Sequence, residues 1–396
     1  MKPTNDNSDT SNRPENRADK ALLPAGMSDV LPPDAAFEAA IAEQVMAEFG
    51  ANGYDRVKPP LLEFEQNLLH GPGTSMAEQT FRLMDPESQR MMGLRADMTP
   101  QVARIATTRL RNSPRPLRLS YSGQILRVKG TQLRANRQFG QVGAELIGTE
   151  TPLGDTELIL MATSALSNLG ITDMSVDLCL PTLVPALAKD LGISQDNLNN
   201  LRDVLDRKDA GDIARMSDTI GAENTELFAK LLAATGPAEG ALVALDQLGL
   251  GGTAKAECDT LHAIVSAINE QAPELPLTVD LVENRGWEYH TGVTFTFFSR
   301  GGRGELGTGG RYITDEGEAA SGLTLFMDTV LHKISERPKI NRIFLPLGCP
   351  KNIGTQYRSE DWVTVQGFED VTDQQAEAKR LNCSHIYDNG EAKSLS

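Results

Sequence analysis

The sequence predicts an α+β fold, in which an antiparallel sheet flanked by helices carries a helical insertion and a small α/β appendage. Three observations lead to this prediction. Strand-like segments lie beside helices from about residue 54 to 180, and strand character resumes at about 277. The stretch from about 181 to 272 is rich in Ala, Leu and Asp and is predicted to be almost wholly helical. A short run of strands and a helix follows a break at 336–341. Such segregation of strands and helices is typical of α+β domains.

The first part of the chain is predicted to contain a tail, a helix and an edge strand. Residues 1–20 are polar without an apolar core, so we expect a disordered tail. Asp34 is expected to cap a helix that ends near residues 50–53. One face of this helix carries Phe37, Ile41, Val45 and Phe49. Residues 54–63 are predicted to form a strand, which Pro59 and Pro60 confine to an edge or an interface.

The central strands of the sheet are predicted in the middle of the chain. Residues 117–129 and 138–147 are expected to pair in an antiparallel manner around a basic loop, 130–137. Helices are expected on either side of this pair, at about 100–111 and 151–169. The remaining predicted strands are 175–180, 277–282, 293–298 and the start of 322–334, which ends as a helix.

The chain is therefore expected to divide into a core domain, 21–335, with its helical insertion at about 181–272, and a tail domain, 342–396. The tail is predicted as a strand at 342–347, a strand at 362–366 and a helix at 373–381.

Composition limits the possible functions. The formal net charge is −16, which disfavours a general nucleic-acid surface because phosphate binding depends on Lys and Arg. The four cysteines are far apart and the five histidines are scattered, so we expect neither a disulfide framework nor a metal site. No apolar run approaches the roughly 20 residues that cross a bilayer. We therefore expect a cytoplasmic protein without a bound metal or cofactor.

Asp97 and Thr99 are the first candidate binding residues. A carboxylate can pair with an ammonium group, and a neighbouring hydroxyl can add a hydrogen bond. Asp and Thr are also common helix caps, and a helix is predicted to begin at about residue 100. The sequence leaves both interpretations open.

Gln141, Gly143 and Glu145 lie on one face of a predicted strand, since side chains alternate between the faces. A polar, small, polar stripe suits the floor of a pocket, where glycine leaves room for a ligand. An ordinary solvent-exposed face is the alternative.

Two glycine-containing segments complete the set of candidates. Residues 285–292 place Arg285, Tyr289 and His290 in a turn, where the guanidinium could bind a carboxylate through two hydrogen bonds. A surface ion pair is the alternative for Arg285. Residues 307–312 end in Arg311 and Tyr312 and read equally well as an ordinary glycine-rich turn.

Together these segments resemble the catalytic core of histidyl-tRNA synthetase, a class II aminoacyl-tRNA synthetase, from about residue 22 to 333. The first class II motif matches 37–63, with its dimer-interface proline at Pro60. The second motif matches 123–148. The histidine-specific segments of the family match 285–291 and 309–312.

The resemblance implies a class II fold and a binding site for L-histidine. In the family pattern, Asp97 and Thr99 bind the α-ammonium group, while Gln141 and Arg285 bind the backbone of the amino acid. Glu145 binds the imidazole with help from Tyr289 and Tyr312, and Arg127 is the retained ligand of the α-phosphate. The implied histidine-binding set is Asp97, Thr99, Arg127, Gln141, Glu145, Arg285, Tyr289 and Tyr312.

Several family residues are replaced, and these departures point away from aminoacylation. In the third motif, Phe326 stands for a glycine and Thr329 for the arginine that binds ATP. Lys129 stands for the glutamate that contacts adenine. In the pocket, Asp97 replaces a glutamate and His290 replaces a tyrosine. The tail is shorter than the anticodon-binding domain of the family and resembles that domain without its first helix, so we expect no tRNA binding.

The resemblance therefore implies a histidine-binding regulatory protein without catalytic residues, although an active synthetase and another histidine-sensing relative remain alternatives. The known regulatory member of the family acts on ATP phosphoribosyltransferase, in the first step of histidine biosynthesis. The implied partners are its short-form catalytic subunit, in a hetero-octamer, and a second copy of this chain.

Overall fold

The computed structural model describes residues 22–131, 134–283, 289–302, 304–335, 337 and 339–395. The chain divides into two compact units, Met1–Ser335 and Glu336–Ser396. The predicted disordered tail, 1–20, lies outside the described residues.

The first unit contains twelve described strands. They are β1 Asp55–Arg56, β2 Leu62–Phe64, β3 Arg82–Met84, β4 Met91–Leu94, β5 Leu117–Leu126, β6 Gln138–Ile147, β7 Met174–Cys179, β8 Gly236–Pro237, β9 Leu277–Asp280, β10 His290–Ser299, β11 Gly307–Ile313 and β12 Ala319–Phe326.

Its described α-helices are α1 Asp34–Ala51, α2 Glu65–Leu68, α3 Thr99–Thr108, α4 Pro152–Asn168, α5 Leu183–Asp190, α6 Gln195–Asp206, α7 Ala210–Arg215, α8 Ser217–Ile220, α9 Ala222–Ala233, α10 Ala238–Gln247, α11 Gly252–Gln271 and α12 Met327–Lys333. A 3₁₀-helix spans Gly71–Gln79.

A nine-stranded sheet with the order β1-β5-β6-β12-β11-β10-β7-β9-β8 forms the centre of this unit. Its pairs are antiparallel except β1 with β5 and β7 with β9. The predicted pair of long strands, now β5 and β6, is confirmed. A separate sheet has the order β2-β4-β3. The predicted α+β class with helices around an antiparallel sheet is confirmed.

The two faces of the large sheet differ because alternate side chains point to opposite sides. Val142, Ala144 and Leu146 of β6 are buried in the main apolar core with the buried face of α1 and with α4. Gln141, Gly143 and Glu145 alternate with them and face the other side. That second side carries the candidate site.

The structure corrects two predictions near the N-terminal end. The strand predicted at 54–63 is two short strands, β1 and β2, in different sheets. The Pro59-Pro60 pair lies between them, since proline cannot donate a ladder hydrogen bond. Asp34 occupies the first turn of α1, and Pro33 takes the cap position.

The second unit is a four-stranded sheet of order β14-β13-β15-β16, with β13 Arg342–Leu345, β14 Val363–Gln366, β15 His385–Asp388 and β16 Glu391–Ser394. Helices α13 Lys351–Ser359 and α14 Gln374–Arg380 accompany it. The predicted strand, strand and helix are present as β13, β14 and α14, but the prediction omitted α13, β15 and β16, so a helix does lie between the first two strands. Only Gly354 is buried in α13, so that helix lacks the apolar face by which sequence patterns reveal helices.

No helix among the described residues is both long and apolar enough to span a bilayer.

Candidate functional site

A cavity of about 650 Å³ opens on the second side of the large sheet. Five of the eight predicted histidine-binding residues line it: Asp97, Thr99, Arg127, Tyr289 and Tyr312. They come from the start of α3, the end of β5 and the strands β10 and β11 with the residues beside them. Segments that are far apart in sequence therefore meet at one cavity.

Asp97 combines the two roles that the sequence left open, whereas the Thr99 side chain lines the cavity without capping the helix. The backbone N–H of Thr99, the first residue of α3, donates to Asp97 Oδ1 over 2.8 Å. Asp97 thus stabilises the helix start as a cap does. Both side chains nevertheless line the cavity. The capping interaction fixes the carboxylate at the cavity wall.

Glu145 and Gln141 lie behind this wall, and both are fully buried. The alternative of a solvent-exposed face is therefore wrong. Tyr312 donates from its hydroxyl to Glu145 Oε2 over 2.9 Å, and Tyr121 donates to Glu145 Oε1 over 3.2 Å. The backbone N–H of Met98 donates to Gln141 Oε1 over 3.0 Å. Burial raises the pKa of the Glu145 carboxyl to about 8.

Gly322 explains how Glu145 fits below the surface of the cavity. A Cβ atom at this position would lie 2.0 Å from Glu145 Oε2. The glycine lines the cavity, and a larger residue there would collide with the carboxyl group directly behind it. Glu145 therefore lies directly behind Gly322, and two tyrosine hydroxyls donate to its carboxyl oxygens.

Tyr121 is a central residue that the sequence analysis missed. Its hydroxyl lies 3.1 Å from Thr99 Oγ1 and 2.9 Å from Thr324 Oγ1, in addition to its bond to Glu145. Burial raises its pKa well above the ordinary tyrosine value. The register pairs Tyr121 with Gly143. Aligning the two predicted strands would therefore have placed a large ring opposite the glycine.

Three rings form the aromatic side of the cavity. The Tyr289 ring lies 4.0 Å from the His290 ring and 6.4 Å from the Tyr312 ring, centroid to centroid. His290 is buried and lines the cavity, so the replacement of the family tyrosine brings an imidazole into the site. Arg285 and its neighbours from 284 to 288 lie outside the described residues.

Acidic side chains dominate the charge of the described cavity wall. Four acidic residues line it, namely Asp97, Asp177, Glu283 and Glu305. Among its described lining residues, the one Lys or Arg side chain is that of Arg127. Burial lowers the pKa of Arg127, while the neighbouring Asp97 opposes this effect. An ammonium group is favoured in such a field, and a polyanionic triphosphate is disfavoured.

Comparison with known proteins agrees with the geometry. The family profile of histidyl-tRNA synthetase matches residues 26–330. An ATP phosphoribosyltransferase regulatory subunit from Paramagnetospirillum magneticum is 52% identical over 368 residues, which cover 93% of this chain and 96% of the relative. The chain belongs to the ATP phosphoribosyltransferase regulatory subunits, within the histidyl-tRNA synthetase-like family.

Solved structures of this family share the fold. A regulatory subunit/histidyl-tRNA synthetase from Bacillus halodurans superposes with a TM-score of 0.78 at 23% identity, covering 90% of this chain and 96% of the other. A chain of the ATP phosphoribosyl transferase (HisG:HisZ) complex from Thermotoga maritima gives a TM-score of 0.59 at 18% identity, covering 73% and 97%.

Proposed function

We propose that this chain binds L-histidine in the cavity and regulates ATP phosphoribosyltransferase without catalysing aminoacylation. The observation that carries the proposal is the convergence of Asp97, Thr99, Arg127 and Tyr312 on one cavity, with Glu145 directly beneath it. This set offers an anion, a cation and a buried carboxyl group, which match the three polar groups of histidine.

The ligand would be oriented by these charges. Its α-ammonium group pairs with Asp97 and donates a hydrogen bond to the Thr99 hydroxyl, and its carboxylate faces Arg127. We assign Arg285 to the same carboxylate from the family pattern. The imidazole packs against Tyr289, His290 and Tyr312, with one ring N–H directed to Glu145. Gln141 acts indirectly, since it accepts from the backbone of Met98 and thereby positions Asp97.

Three replacements support the absence of aminoacylation. Phe326 forms part of the cavity wall where the family pattern has glycine. The Thr329 hydroxyl accepts a hydrogen bond from Arg134, so it serves an internal contact. The Lys129 side chain is exposed and reverses the charge of the expected glutamate. ATP activation needs a positioned nucleotide, and these residues do not provide its ligands.

The partners follow from the names of the relatives. A regulatory subunit of ATP phosphoribosyltransferase implies a catalytic subunit, and the Thermotoga structure is described as a complex. We propose assembly with a short-form catalytic subunit, in a hetero-octamer that contains a homodimer of this chain. The second unit would be a remnant of the anticodon-binding domain without tRNA binding. Four free cysteines suit the cytoplasm, a reducing compartment.

Feedback requires a free-energy coupling between the histidine cavity and the catalytic site of the partner. Typical couplings are about 1–3 kcal/mol, equivalent to roughly 5- to 150-fold in affinity. Histidine must therefore bind the inactive state of the complex more tightly than the active state.

Reconstitution tests this function. The short-form catalytic subunit should gain phosphoribosyltransferase activity when this chain is added, and L-histidine should then inhibit the mixture. Asp97→Ala should keep the activation and lose the inhibition, because the ligand loses its ammonium partner. Activation without any inhibition by histidine would contradict the sensor role, and absence of activation would contradict the regulatory role.

A further inference from the structure

Phe326, the last residue of β12, lines the cavity. Its ring is 5% exposed and lies beneath the guanidinium group of Arg134, with the Cζ atom 3.9 Å from the ring centroid. The same Cζ atom is 4.7 Å from the centroid of Phe139, and the two phenylalanine rings meet edge to face at 6.1 Å. Arg134 is thus enclosed by two aromatic rings.

Polar contacts fix this guanidinium group in place. Its Nε donates to Asp328 Oδ2 over 3.0 Å, and its Nη2 donates to Thr329 Oγ1 over 3.2 Å. Glu305 Oε1 lies 3.7 Å from its Nη1, and the Arg134 side chain is only 9% exposed. A charged group bound by several partners at low exposure is difficult to displace. The guanidinium group of Arg134 therefore restrains the Phe326 ring that it covers.

The position of Arg127 indicates where the carboxylate of a ligand would lie relative to Phe326. Its Cζ atom is 5.3 Å from the centroid of the same Phe139 ring, and its side chain lines the cavity. Since Phe326 contacts the same Phe139 ring, a carboxylate paired with Arg127 would lie on the side of the cavity that Phe326 lines. We expect a substituent on that carboxyl group to extend toward the Phe326 ring.

We propose that Arg134 positions Phe326 as an end wall, which selects a free amino acid against derivatives extended at the carboxyl group. The proposal rests on the proposed binding of histidine and assigns the specificity of that site. An extended ligand has to move the ring and separate Arg134 from both aromatic faces and from Asp328. Arg134 is a positioning residue, since it acts through Phe326.

Two ligands that differ only in length test the wall. L-histidinamide and its N-benzyl derivative share the same amide, so calorimetry on both isolates the effect of the extension. In the wild-type protein we expect the benzylamide to bind about 100-fold more weakly. In Arg134→Ala and Phe326→Ala this ratio should fall to about 10-fold or less, and because both ligands carry the same amide, the ratio is independent of any change in the affinity for the shared part of the ligand.

Lys129→Ala is the matched control. Lys129 is an exposed cation at the beginning of the connection between β5 and β6, which also contains Arg134. This variant should keep the wild-type ratio. Arg134→Lys keeps the charge without the planar group, so its ratio should fall between those of wild type and Arg134→Ala. A ratio that Arg134→Ala and Phe326→Ala leave unchanged would contradict the wall.

Hydrogen exchange provides a test that needs no ligand. Arg134→Ala should increase amide exchange in residues 326–329, which include its contacts Phe326, Asp328 and Thr329, while Lys129→Ala should not. Unchanged exchange in Arg134→Ala would contradict the positioning role. If wild type binds neither histidine nor histidinamide, the proposed function is contradicted, and exchange alone then decides whether Arg134 holds the wall.

Discussion

Tyr312 and Glu145 are joined by a hydrogen bond of 2.9 Å that runs from the tyrosine hydroxyl to a fully buried carboxyl group. Tyr312 lines the cavity, whereas Glu145 lies behind it. The bond therefore connects the ligand space to a titratable group that solvent does not reach. Tyr121 makes a second connection through Thr99.

The buried carboxyl group of Glu145 makes the free energy of unfolding depend on pH. The pKa of Glu145 rises from 4.5 to about 8, mainly because burial disfavours its charged form. The native state therefore holds a proton that the unfolded state releases between about pH 4.5 and 8. Within this window the free energy of unfolding decreases as pH rises, by up to about 1.4 kcal/mol for each pH unit.

Glu145→Gln removes this titration and keeps the volume of the side chain. Urea unfolding of the ligand-free protein at pH 5, 6, 7 and 8 should show the wild type losing stability relative to the variant as pH rises. Parallel stability curves for the two proteins would show that Glu145 titrates normally.

Sequence patterns predicted the strands that carry the site, but they did not predict how deeply the residues of the site are buried. Alternation along residues 138–147 correctly grouped Gln141, Gly143 and Glu145 on one face. Alternation within one strand did not identify Tyr121 and Gly322, because their proximity to that face arises from pairing with β5 and β12, and only alignment of the two predicted strands would have placed Tyr121 there. The contact of Arg134 with Phe326 joins two segments almost 200 residues apart, and no local pattern encodes it.

In the tail domain, sequence patterns identified the apolar strands and missed elements that are mostly exposed. Its first and second strands were predicted because they are apolar, whereas α13 and β16 expose most of their residues and gave no signal. Packing against neighbouring elements stabilises such segments, and a single sequence does not display that packing.

We next predict that the protein has no aminoacyl-tRNA synthetase activity. We expect neither ATP–pyrophosphate exchange with histidine nor charging of tRNA, since Thr329 and Lys129 do not supply nucleotide ligands. Thr329→Arg alone should not restore exchange, because Phe326 and Arg134 still occupy that end of the cavity. Exchange at a rate typical of synthetases in the wild-type protein would refute the regulatory interpretation.

Self-association should depend on the three-stranded sheet. Leu62, Leu83, Met84 and Met91 of this sheet are exposed, and an apolar patch of this kind is typical of an interface. Met84→Glu should weaken the homodimer at least about tenfold by light scattering or sedimentation, because a charge would be buried.

Val243→Glu is the control for this experiment, since Val243 is an exposed apolar residue of the helical insertion. It should remain dimeric. An unchanged dimer in Met84→Glu would place the interface elsewhere, and a wild-type monomer at micromolar concentration would contradict the homodimer itself.

The response to histidine is the sharpest prediction, because it depends on the cavity. Free L-histidine should raise the melting temperature while ATP does not, since a ligand that binds only the native state stabilises it. At a hundredfold excess over Kd the gain is about 2.7 kcal/mol. Histidinol lacks the carboxylate, so it should bind more weakly through loss of its pairing with the guanidinium groups.

Glu145→Ala should reduce histidine affinity by about 1–3 kcal/mol, because a buried ring N–H loses its acceptor. The variant also leaves the hydroxyls of Tyr121 and Tyr312 without this carboxyl group, so its melting temperature should fall. Glu145→Gln therefore serves as the folded comparison, since its amide oxygen still accepts from one tyrosine. In the complex, Glu145→Ala should leave phosphoribosyltransferase activity intact but insensitive to histidine. Full feedback inhibition in both variants would mean that histidine binds elsewhere, and the subunit interface would then be the site to examine.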